Sequence, residues 1–385
     1  MANESEVISW IRSRARPARG LVIGIGDDAA AWKPAPGFDL LACCDLSVED
    51  VHFRTQWAQP RQIGHKALAV TVSDVAAMGG VPLYGLVSMA LPAGKPDDYY
   101  QQLLDGIFTL AERVGMQIIG GDTSASPGPL FLDTMVIGQC PSGRALSRSG
   151  AKPGDLIFVT GSLGASALGL YFLQRESNGA PDNPIPGSSS KKPGAEPEAP
   201  EQRSPVIESA QRSGRQKEQL ASADAQATRA TDTTDALSLA RAHAIERHLM
   251  PEPQVEAGRL IGDSGLATAM IDISDGLSTD LGHIITESGA GAILNAESIP
   301  ISECVTAARS LGAPISPLEL ALHGGEEYEL LFTAAPEHRQ AVCDLLASIG
   351  LRVSCIGEIV REPVFKLNDN GVLTDLTPSG FEHVF

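Results

Sequence analysis

The chain has 385 residues, of which 43% are hydrophobic and 20% charged, a length and composition that suit a globular protein of two domains. Its formal net charge is −18. That charge argues against binding to nucleic acid or to an anionic membrane, because phosphate groups attract lysine and arginine.

The N-terminal stretch MANESEVISWIRSRARP has no apolar core of the kind found in signal peptides, and no later apolar run approaches the roughly 20 residues of a membrane span. The six cysteines form no CxxC pair and no regular framework, so neither a zinc site nor a disulfide scaffold is indicated. Free thiols fit a reducing compartment. We therefore expect a cytoplasmic protein that contacts no membrane.

The first half of the chain alternates strand-like with helix-like runs. Alternating or β-branched residues bounded by Pro and Gly predict strands for FDLLACCDLS, PLYGLVSMALP, MQIIGGDTS and LFLDTMVIGQC. Apolar residues three and four positions apart, closed by Gly, predict helices for GHKALAVTVSDVAAMG and DDYYQQLLDGIFTLAERVG. This alternation predicts an α/β or α+β domain over residues 1–149.

A second domain is predicted for residues 150–385, opening with the turn, strand and Gly-rich loop of RSGAKPGDLIFVTGSLG. Residues 176–235 interrupt it with a polar mixture that has almost no large apolar side chains. Ordering a backbone costs roughly 1 to 2 kcal/mol per residue, so we predict a disordered insertion there. Firm structure is expected to resume at ALSLARAHAIERHLMPEP, followed by a strand LATAMIDIS, a helix DGLSTDLGHIITESG and a late strand EEYELLFTA.

Acidic residues recur beside glycine or serine in GIGDDAA, CCDLSVEDVHF, SDVAAMGG, GGDTS, IDISDGL and HGGEEYEL. We expect nearly all of these acids at the C-terminal end of a strand or in the first turn of a helix, facing one crevice. Carboxylates gathered there repel one another unless cations share the space, and Mg²⁺ prefers such oxygen ligands together with phosphates. The candidates are Asp27, Asp28, Asp45, Asp74, Asp122, Asp272, Asp275, Glu326 and Glu327.

Each of these motifs also has a simpler interpretation when it is taken alone. A single Asp before a helix is commonly an N-cap, and an Asp in a Gly turn commonly forms that turn. Arg148 is either a phosphate clamp or a solvated surface residue. His52 is either a buried structural histidine or a substrate contact. The joint occurrence of the motifs favours a site.

As a set, the motifs resemble those of the thiamine-monophosphate kinases, in the superfamily that also contains aminoimidazole ribonucleotide synthetase and selenophosphate synthetase. The resemblance covers about residues 18–175 and 240–385. It is carried by GIGDDAA, DLSVEDVHF, KALAVTVSDVAAMGG, GGDTS, LSRSGAKPGD, RHLMPEP, IDISDGLSTDLGHI and GGEEYELLFT.

The resemblance implies ATP-dependent phosphorylation of thiamine monophosphate to thiamine diphosphate, the last step in making that cofactor, by direct in-line transfer without a covalent intermediate. It also implies a two-domain architecture like that of aminoimidazole ribonucleotide synthetase, a homodimer formed by the N-terminal domains, and ATP with several Mg²⁺ ions between the domains. The implied metal ligands are Asp28, Asp45, Asp74, Asp122, Asp272 and Asp275, with Cys44 able to contribute only its backbone oxygen. The implied ATP contacts are Gly121, Asp122, Arg148 and Ser274, and the implied contacts with thiamine monophosphate are His52, Glu326 and Phe381.

The sequence departs from the family pattern at a few positions. Cys43 and Cys44 stand where the family usually has Thr or Ser, Glu327 replaces an Asp, and the insertion is foreign to the compact family. An alternative function is that of another ATP-dependent synthetase of the superfamily. A selenophosphate synthetase is disfavoured, because it needs a reactive Cys in a Gly-rich loop. A non-catalytic metal-binding or nucleotide-binding regulator is the remaining alternative.

Overall fold

The computed structural model describes residues 10, 13, 14, 20–23, 31–96, 98–178 and 236–380. Asp27, Asp28, Phe381 and nearly all of the predicted insertion therefore lie outside the described residues. The first residues assigned to the insertion are helical instead, because the helix that precedes it ends at Asn178. Helical structure is present again from residue 236, as expected.

The strands are β1 Leu21–Ile23, β2 Ala31–Trp32, β3 Phe38–Val48, β4 Val81–Pro92, β5 Gln117–Ser126, β6 Phe131–Pro141, β7 Leu156–Thr160, β8 Ala267–Asp272, β9 Gly291–Asn295, β10 Leu330–Ala334, β11 Val353–Val360, β12 Phe365–Asp369 and β13 Val372–Asp375. The α-helices are α1 Pro60–Ala77, α2 Tyr99–Arg113, α3 Ala165–Asn178, α4 236–249, α5 Val255–Ser264, α6 Leu277–Ser288, α7 Glu303–Ser310, α8 Pro317–His323 and α9 Arg339–Ala347. Short 3₁₀ turns occupy Ala296–Ser298 and Pro336–His338.

The N-terminal half is built on a four-stranded sheet with the order β3-β6-β4-β5. β6 is antiparallel to both of its neighbours, whereas β4 and β5 are parallel and joined by the crossover helix α2. α1 packs against this sheet and against α2. Pro60 stands at the start of α1, and the Gln62 side chain accepts a hydrogen bond from the Gln59 backbone, which fixes where the helix begins.

The C-terminal half is built on a seven-stranded sheet with the order β13-β12-β9-β11-β7-β10-β8. Its pairings are antiparallel except for that of β9 with β12. Apolar cores lie on both faces of the central strands, one of them centred on stacked Phe158 and Phe332. The two sheets and their helices confirm the predicted two-domain α/β class of fold.

The two halves meet where α1 crosses α5. An ideal Cβ atom on Gly79 would lie 2.9 Å from the Cα atom of Gly262, and one on Gly258 would lie 2.2 Å from the backbone oxygen of Ala76. Only glycine allows the two backbones to approach so closely. The contact holds the C-terminal end of α1 against the second half, where α1 also contacts β8.

The late strand begins later than the sequence predicts. Glu326 and Tyr328 have positive φ angles of 62° and 54°, so the backbone before Leu330 is not extended and β10 starts only there. Within the described ranges, no helix combines the length and the apolar composition needed to cross a bilayer.

Candidate active site

Predicted metal-binding acids from both halves meet between the two sheets. Asp45 lies within β3, Asp74 lies in the last turn of α1, and Asp272 is the last residue of β8. The expectation that nearly all these acids stand at strand ends or in first helical turns is therefore wrong for Asp45 and Asp74. What they share is a position facing the crevice between the halves.

The acids of this cluster oppose one another's ionisation. Burial raises the pKa of Asp74 to about 7, and Asp272 and Asp45 add to the rise. Burial likewise raises the pKa of Asp272 to about 6, even though Ser73 donates a 2.7 Å hydrogen bond to its Oδ2 atom. Arg148, although exposed, lowers both pKa values through its positive charge. Arg148 is therefore close enough to act on the cluster.

Asp45 carries an unsatisfied polar atom. Its Oδ2 atom is buried and has no hydrogen-bond partner among the residues that the structure describes. Burial raises the pKa of Asp45, and the neighbouring Asp133 adds to the rise. A buried carboxylate oxygen without a partner is costly, and a hard cation would satisfy it. The oxygen donors and their mutual repulsion therefore fit Mg²⁺.

Cys43 and Cys44 point to opposite faces of β3. The Cys43 thiol donates to the backbone oxygen of Thr71 at 3.2 Å, and burial together with the nearby Asp74 raises its pKa well above the ordinary value. A thiol held neutral in this way is not a nucleophile. The exposed Cys44 side chain lies on the other face, so only its backbone could serve a metal on the acid side, as the sequence analysis required.

A second acidic group borders the cluster at the start of α6. Single ligand atoms of Asp275, Asp280 and His283 all lie within 4.8 Å of one another. The Asp280 carboxylate accepts the backbone N–H groups of Asp275 and Gly276, at 3.1 and 3.0 Å. Burial, then Asp272 and Asp275, raise the pKa of Asp280 to about 8. Asp280 was not among the acids predicted from sequence, although it follows the IDISDGL motif by one helical turn.

A pocket of about 90 Å³ opens beside Asp45. It is lined by Asp45, Leu46, Ser47, His52, Phe53, Ile63, Lys66, Ala67, Val70 and Glu326. The structure thus brings His52 and Glu326 to one pocket, as the resemblance implied. The Nδ1 atom of His52 accepts the backbone N–H of Val48 at 3.1 Å, so the neutral ring carries its proton on Nε2.

Glu326 is held by basic groups from both halves. Lys66 Nζ lies 2.8 Å from its Oε1 atom, and His248 Nδ1 lies 3.3 Å from its Oε2 atom. Burial opposes ionisation of Glu326, but the positive charge of Lys66 outweighs it, and the pKa of Glu326 is lowered. Neither Lys66 nor His248 was among the residues predicted from sequence. The single charged residue inside the apolar run GHKALAV was the available signal for Lys66.

Glu327 serves the fold and not the pocket. Its Oε1 atom accepts the backbone N–H groups of Gly164 and Ser166, at 2.9 and 3.0 Å, at the start of α3. The side chain is fully buried, and burial raises its pKa to about 8. The prediction that Glu327 belongs to the acidic site is therefore wrong.

Asp122 lies apart from the cluster. Asp45 pairs with Thr134, Thr134 with Val87, and Val87 with Gly121, so alternation puts Asp122 on the opposite face of the sheet. Its carboxylate is exposed and accepts the backbone N–H of the next residue. A metal or nucleotide role for Asp122 remains a prediction.

Two other predicted ATP contacts have clear local roles. Gly121 has a φ of 149°, and an ideal Cβ there would lie 1.9 Å from the Val87 backbone oxygen, so no side chain fits. The backbone oxygen of Ser274, beside Asp275, accepts the Glu326 backbone N–H at 2.7 Å and so links the predicted nucleotide side to the pocket. Contact of either residue with a nucleotide remains a prediction.

The chain matches two family models. The AIR synthase related protein, N-terminal domain, matches residues 26–140, and the AIR synthase related protein, C-terminal domain, matches residues 220–370. Thiamine-monophosphate kinase of Bacillus subtilis (strain 168) is 34% identical over 362 residues, which cover 94% of this chain and 92% of that protein.

Solved structures show the same likeness. The crystal structure of thiamine-monophosphate kinase from Stenotrophomonas maltophilia K279a superposes with a TM-score of 0.71 at 31% identity, covering 95% of this chain and 96% of that one. A structure described as AaThiL complexed with AMPPCP and TMP superposes with a TM-score of 0.67 at 26% identity, covering 92% and 90%.

Proposed function

The chain belongs to the thiamine-monophosphate kinase family, and on that basis we propose that it transfers the γ-phosphoryl group of ATP to thiamine monophosphate, giving thiamine diphosphate. The observation that carries this proposal is the buried carboxylate cluster, with its unsatisfied Asp45 oxygen, directly beside the pocket that holds His52 and Glu326. A related structure holds AMPPCP and TMP together. The reaction is the last step of thiamine diphosphate synthesis.

Asp45, Asp74, Asp272 and Asp275 are the proposed metal ligands among the described residues, together with Asp28 outside them. Bound Mg²⁺ ions would neutralise the phosphate oxygens and the carboxylates together, and so allow two polyanions to approach. Arg148 would bind phosphate oxygens with its two-pronged guanidinium group. Gly121 and Ser274 complete the proposed nucleotide side, and Cys44 would offer only a backbone oxygen. Asp122 stays a predicted metal and ATP contact, although its side chain leaves the sheet on the face opposite Asp45.

The acceptor side needs no general base, because the attacking phosphate oxygen is already an anion at neutral pH. The protein has to hold this oxygen in line with the γ-phosphoryl group. His52 would donate from Nε2 to the acceptor phosphate, because its Nδ1 atom is already engaged by Val48. Glu326, an anion, would face the cationic thiazolium or the aminopyrimidine. Phe381 is the third proposed contact with thiamine monophosphate.

We propose a division into an N-terminal domain, residues 1–149, which binds ATP and Mg²⁺ and dimerises, and a C-terminal domain, residues 150–385. The open face of the N-terminal sheet supports a homodimer, because large apolar side chains lie exposed on it. They include Phe38, Leu40, Leu46 and Met135. A contiguous apolar face of this kind is typical of a subunit interface. We also propose a cytoplasmic location, consistent with six free cysteines.

The decisive experiment measures conversion of thiamine monophosphate to thiamine diphosphate by the purified protein, with ATP and with or without Mg²⁺. We expect Mg²⁺-dependent formation of one ADP per thiamine diphosphate. An ATP-dependent synthetase of another substrate class would release ADP only with its own acceptor, and a non-catalytic regulator would release none. Failure to convert thiamine monophosphate under these conditions would reject the proposal.

A further inference from the structure

Lys66 is a buried cation within an otherwise apolar stretch of α1. It is 7% exposed and lines the pocket, and its ammonium group contacts Glu326 Oε1 at 2.8 Å. A lysine buried without a partner would lose its charge or destabilise the fold. A buried ion pair, however, is no more stabilising in general than well-packed apolar side chains of similar volume. Stability alone therefore does not account for this pair.

The partner carboxylate is held from several directions. His248 Nδ1 lies 3.3 Å from Glu326 Oε2, and Ser166 Oγ lies 3.1 Å from the same ring nitrogen. Burial, then Lys66, lower the pKa of His248 to about 3, so the ring is neutral and packs against Glu326 without forming an ion pair. The Glu326 backbone has a φ of 62°, which is unfavourable for a residue with a side chain. Lys66 thus holds one carboxylate oxygen of Glu326 and the His248 ring lies against the other, on a strained loop.

The same helix also carries an acid of the metal-binding cluster. Lys66 and Asp74 lie eight residues apart on α1, roughly 12 Å along the helix axis. α1 comes from the N-terminal half, whereas Glu326 and His248 come from the C-terminal half. The ion pair therefore ties the acceptor pocket to the helix that positions the carboxylate cluster.

We propose that Lys66 and His248 are positioning residues for the acceptor, which act through Glu326 by fixing its carboxylate towards the cationic part of thiamine monophosphate. The inference rests on the proposed function. Positioning of this kind favours zwitterionic acceptors, which offer a cation to Glu326 while their phosphate faces His52. It requires that the effect of Lys66 on acceptor binding depend on the presence of Glu326.

A double-mutant cycle in the full-length protein tests this requirement. The variants are Lys66→Met, Glu326→Gln and the double variant, with KM measured separately for thiamine monophosphate and for ATP. We expect Lys66→Met to raise the KM for thiamine monophosphate by at least about tenfold, while the KM for ATP changes little. In the Glu326→Gln background, Lys66→Met should raise the KM for thiamine monophosphate further by less than about twofold. His248→Gln should raise the KM for thiamine monophosphate as Lys66→Met does. Lys66→Arg should have a KM for thiamine monophosphate close to that of the wild type.

Arg113→Gln is the matched control, because Arg113 forms a 2.7 Å ion pair with Glu252 across the same two halves but at the exposed surface. It should leave both KM values unchanged. The double variant leaves no uncompensated buried charge, so it keeps the test valid if Lys66→Met alone folds poorly. Additive effects of Lys66→Met and Glu326→Gln would overturn the proposal, because they would mean that Lys66 contacts the acceptor directly. Wild-type protein without thiamine monophosphate turnover would reject the proposed function instead.

Discussion

Ser73 donates a 2.7 Å hydrogen bond to Asp272, a residue 199 positions away, and both side chains are buried at the junction of the two halves. The bond explains why a serine precedes Asp74 on α1. Ser73 engages the acid of the second half, while Asp74, the next residue, contributes its own carboxylate to the same cluster. The two halves of the carboxylate cluster are therefore aligned by a direct contact before any ligand binds.

Asp74 lies in the last turn of α1, where an N-cap role is excluded. Asp74→Asn removes one of several mutually repelling charges, so the free energy of unfolding without Mg²⁺ should rise by about 1 kcal/mol or stay unchanged. The kcat should fall at least about 100-fold. Asp344→Asn, at an exposed acid on α9, should change neither quantity. Denaturant unfolding and steady-state kinetics measure both. An active but less stable Asp74→Asn protein would contradict the metal role.

The tautomer of His52 allows a matched pair of substitutions. Asn places its oxygen near the position of Nδ1 and can keep the hydrogen bond from Val48, but it lacks any group at Nε2. His52→Asn should therefore preserve the loop and raise the KM for thiamine monophosphate by about tenfold, with little change for ATP. His52→Gln, which reaches towards Nε2, should recover part of the loss. A rise confined to the KM for ATP would assign His52 to the ATP side of the site instead.

The open face of the N-terminal sheet is predicted to be the dimer interface. Leu40→Glu would bury a carboxylate in that interface and should convert the protein to a monomer. Leu239→Glu is the control, because Leu239 is 73% exposed on α4, away from this sheet. Light scattering coupled to size-exclusion chromatography gives the masses. A Leu40→Glu protein that remains dimeric would place the interface elsewhere.

The predicted insertion should be dispensable for catalysis. The helices that flank it already meet, since Arg241 of α4 forms an ion pair with Glu176 of α3. Replacing residues 180–232 with a short Gly/Ser linker should leave kcat and both KM values within a few fold of wild type. Steady-state kinetics and thermal unfolding check this. Lost activity in a deletion protein that melts like wild type would assign the segment a catalytic role.

Glu327 is predicted to make stability depend on pH. Its folded-state pKa of about 8 lies above the ordinary value of 4.5, so the folded protein retains a proton that the unfolded chain releases. The corresponding stability is fully present below pH 4.5 and is lost as the pH rises through about 8. Glu327→Gln keeps an oxygen for the backbone of α3 and should make the decline shallower, by at most about 1.4 kcal/mol per pH unit.

Metal-free denaturant unfolding between pH 5 and pH 9 measures this slope. The Glu337→Gln variant, at an exposed carboxylate, provides the control and should follow the wild-type curve. The difference between curves reports the titration of Glu327 together with its coupling to the neighbouring Glu329. Parallel curves for Glu327→Gln and wild type would contradict a protonated Glu327.

Much of the fold could be predicted because the patterns are local. Strands such as Phe38–Val48 and helices such as Tyr99–Arg113 carry their own periodicity and their own Gly or Pro boundaries. The convergence of Asp45, Asp74 and Asp272 was expected from their shared motif chemistry. The structure confirms that these three acids meet. Asp45, however, lies within a strand and Asp74 lies at a helix end, so not all of them stand at strand ends.

The rest depended on pairings that no local pattern encodes. Helix propensity does not distinguish a buried, paired lysine such as Lys66 from an exposed one. No residue near Lys66 in sequence indicates a partner in the second half. Glu326 and Glu327 are neighbours in one motif, yet the positive φ of Glu326 sends one carboxylate to the pocket and the other to α3. Such a backbone reversal is set by tertiary contacts, so sequence periodicity could not separate the two roles.

The glycine contact between α1 and α5 also constrains how this protein can be recombined with its relatives. Gly79 comes from one half of the gene, whereas Gly258 and Gly262 come from the other. A chimera that joined halves from two parents would therefore need all three glycines, since one added methyl group would push the helices apart. That displacement would carry Asp74 away from Asp272. A chimera that lacks one of these glycines could therefore fold in both halves and still lack a working active site.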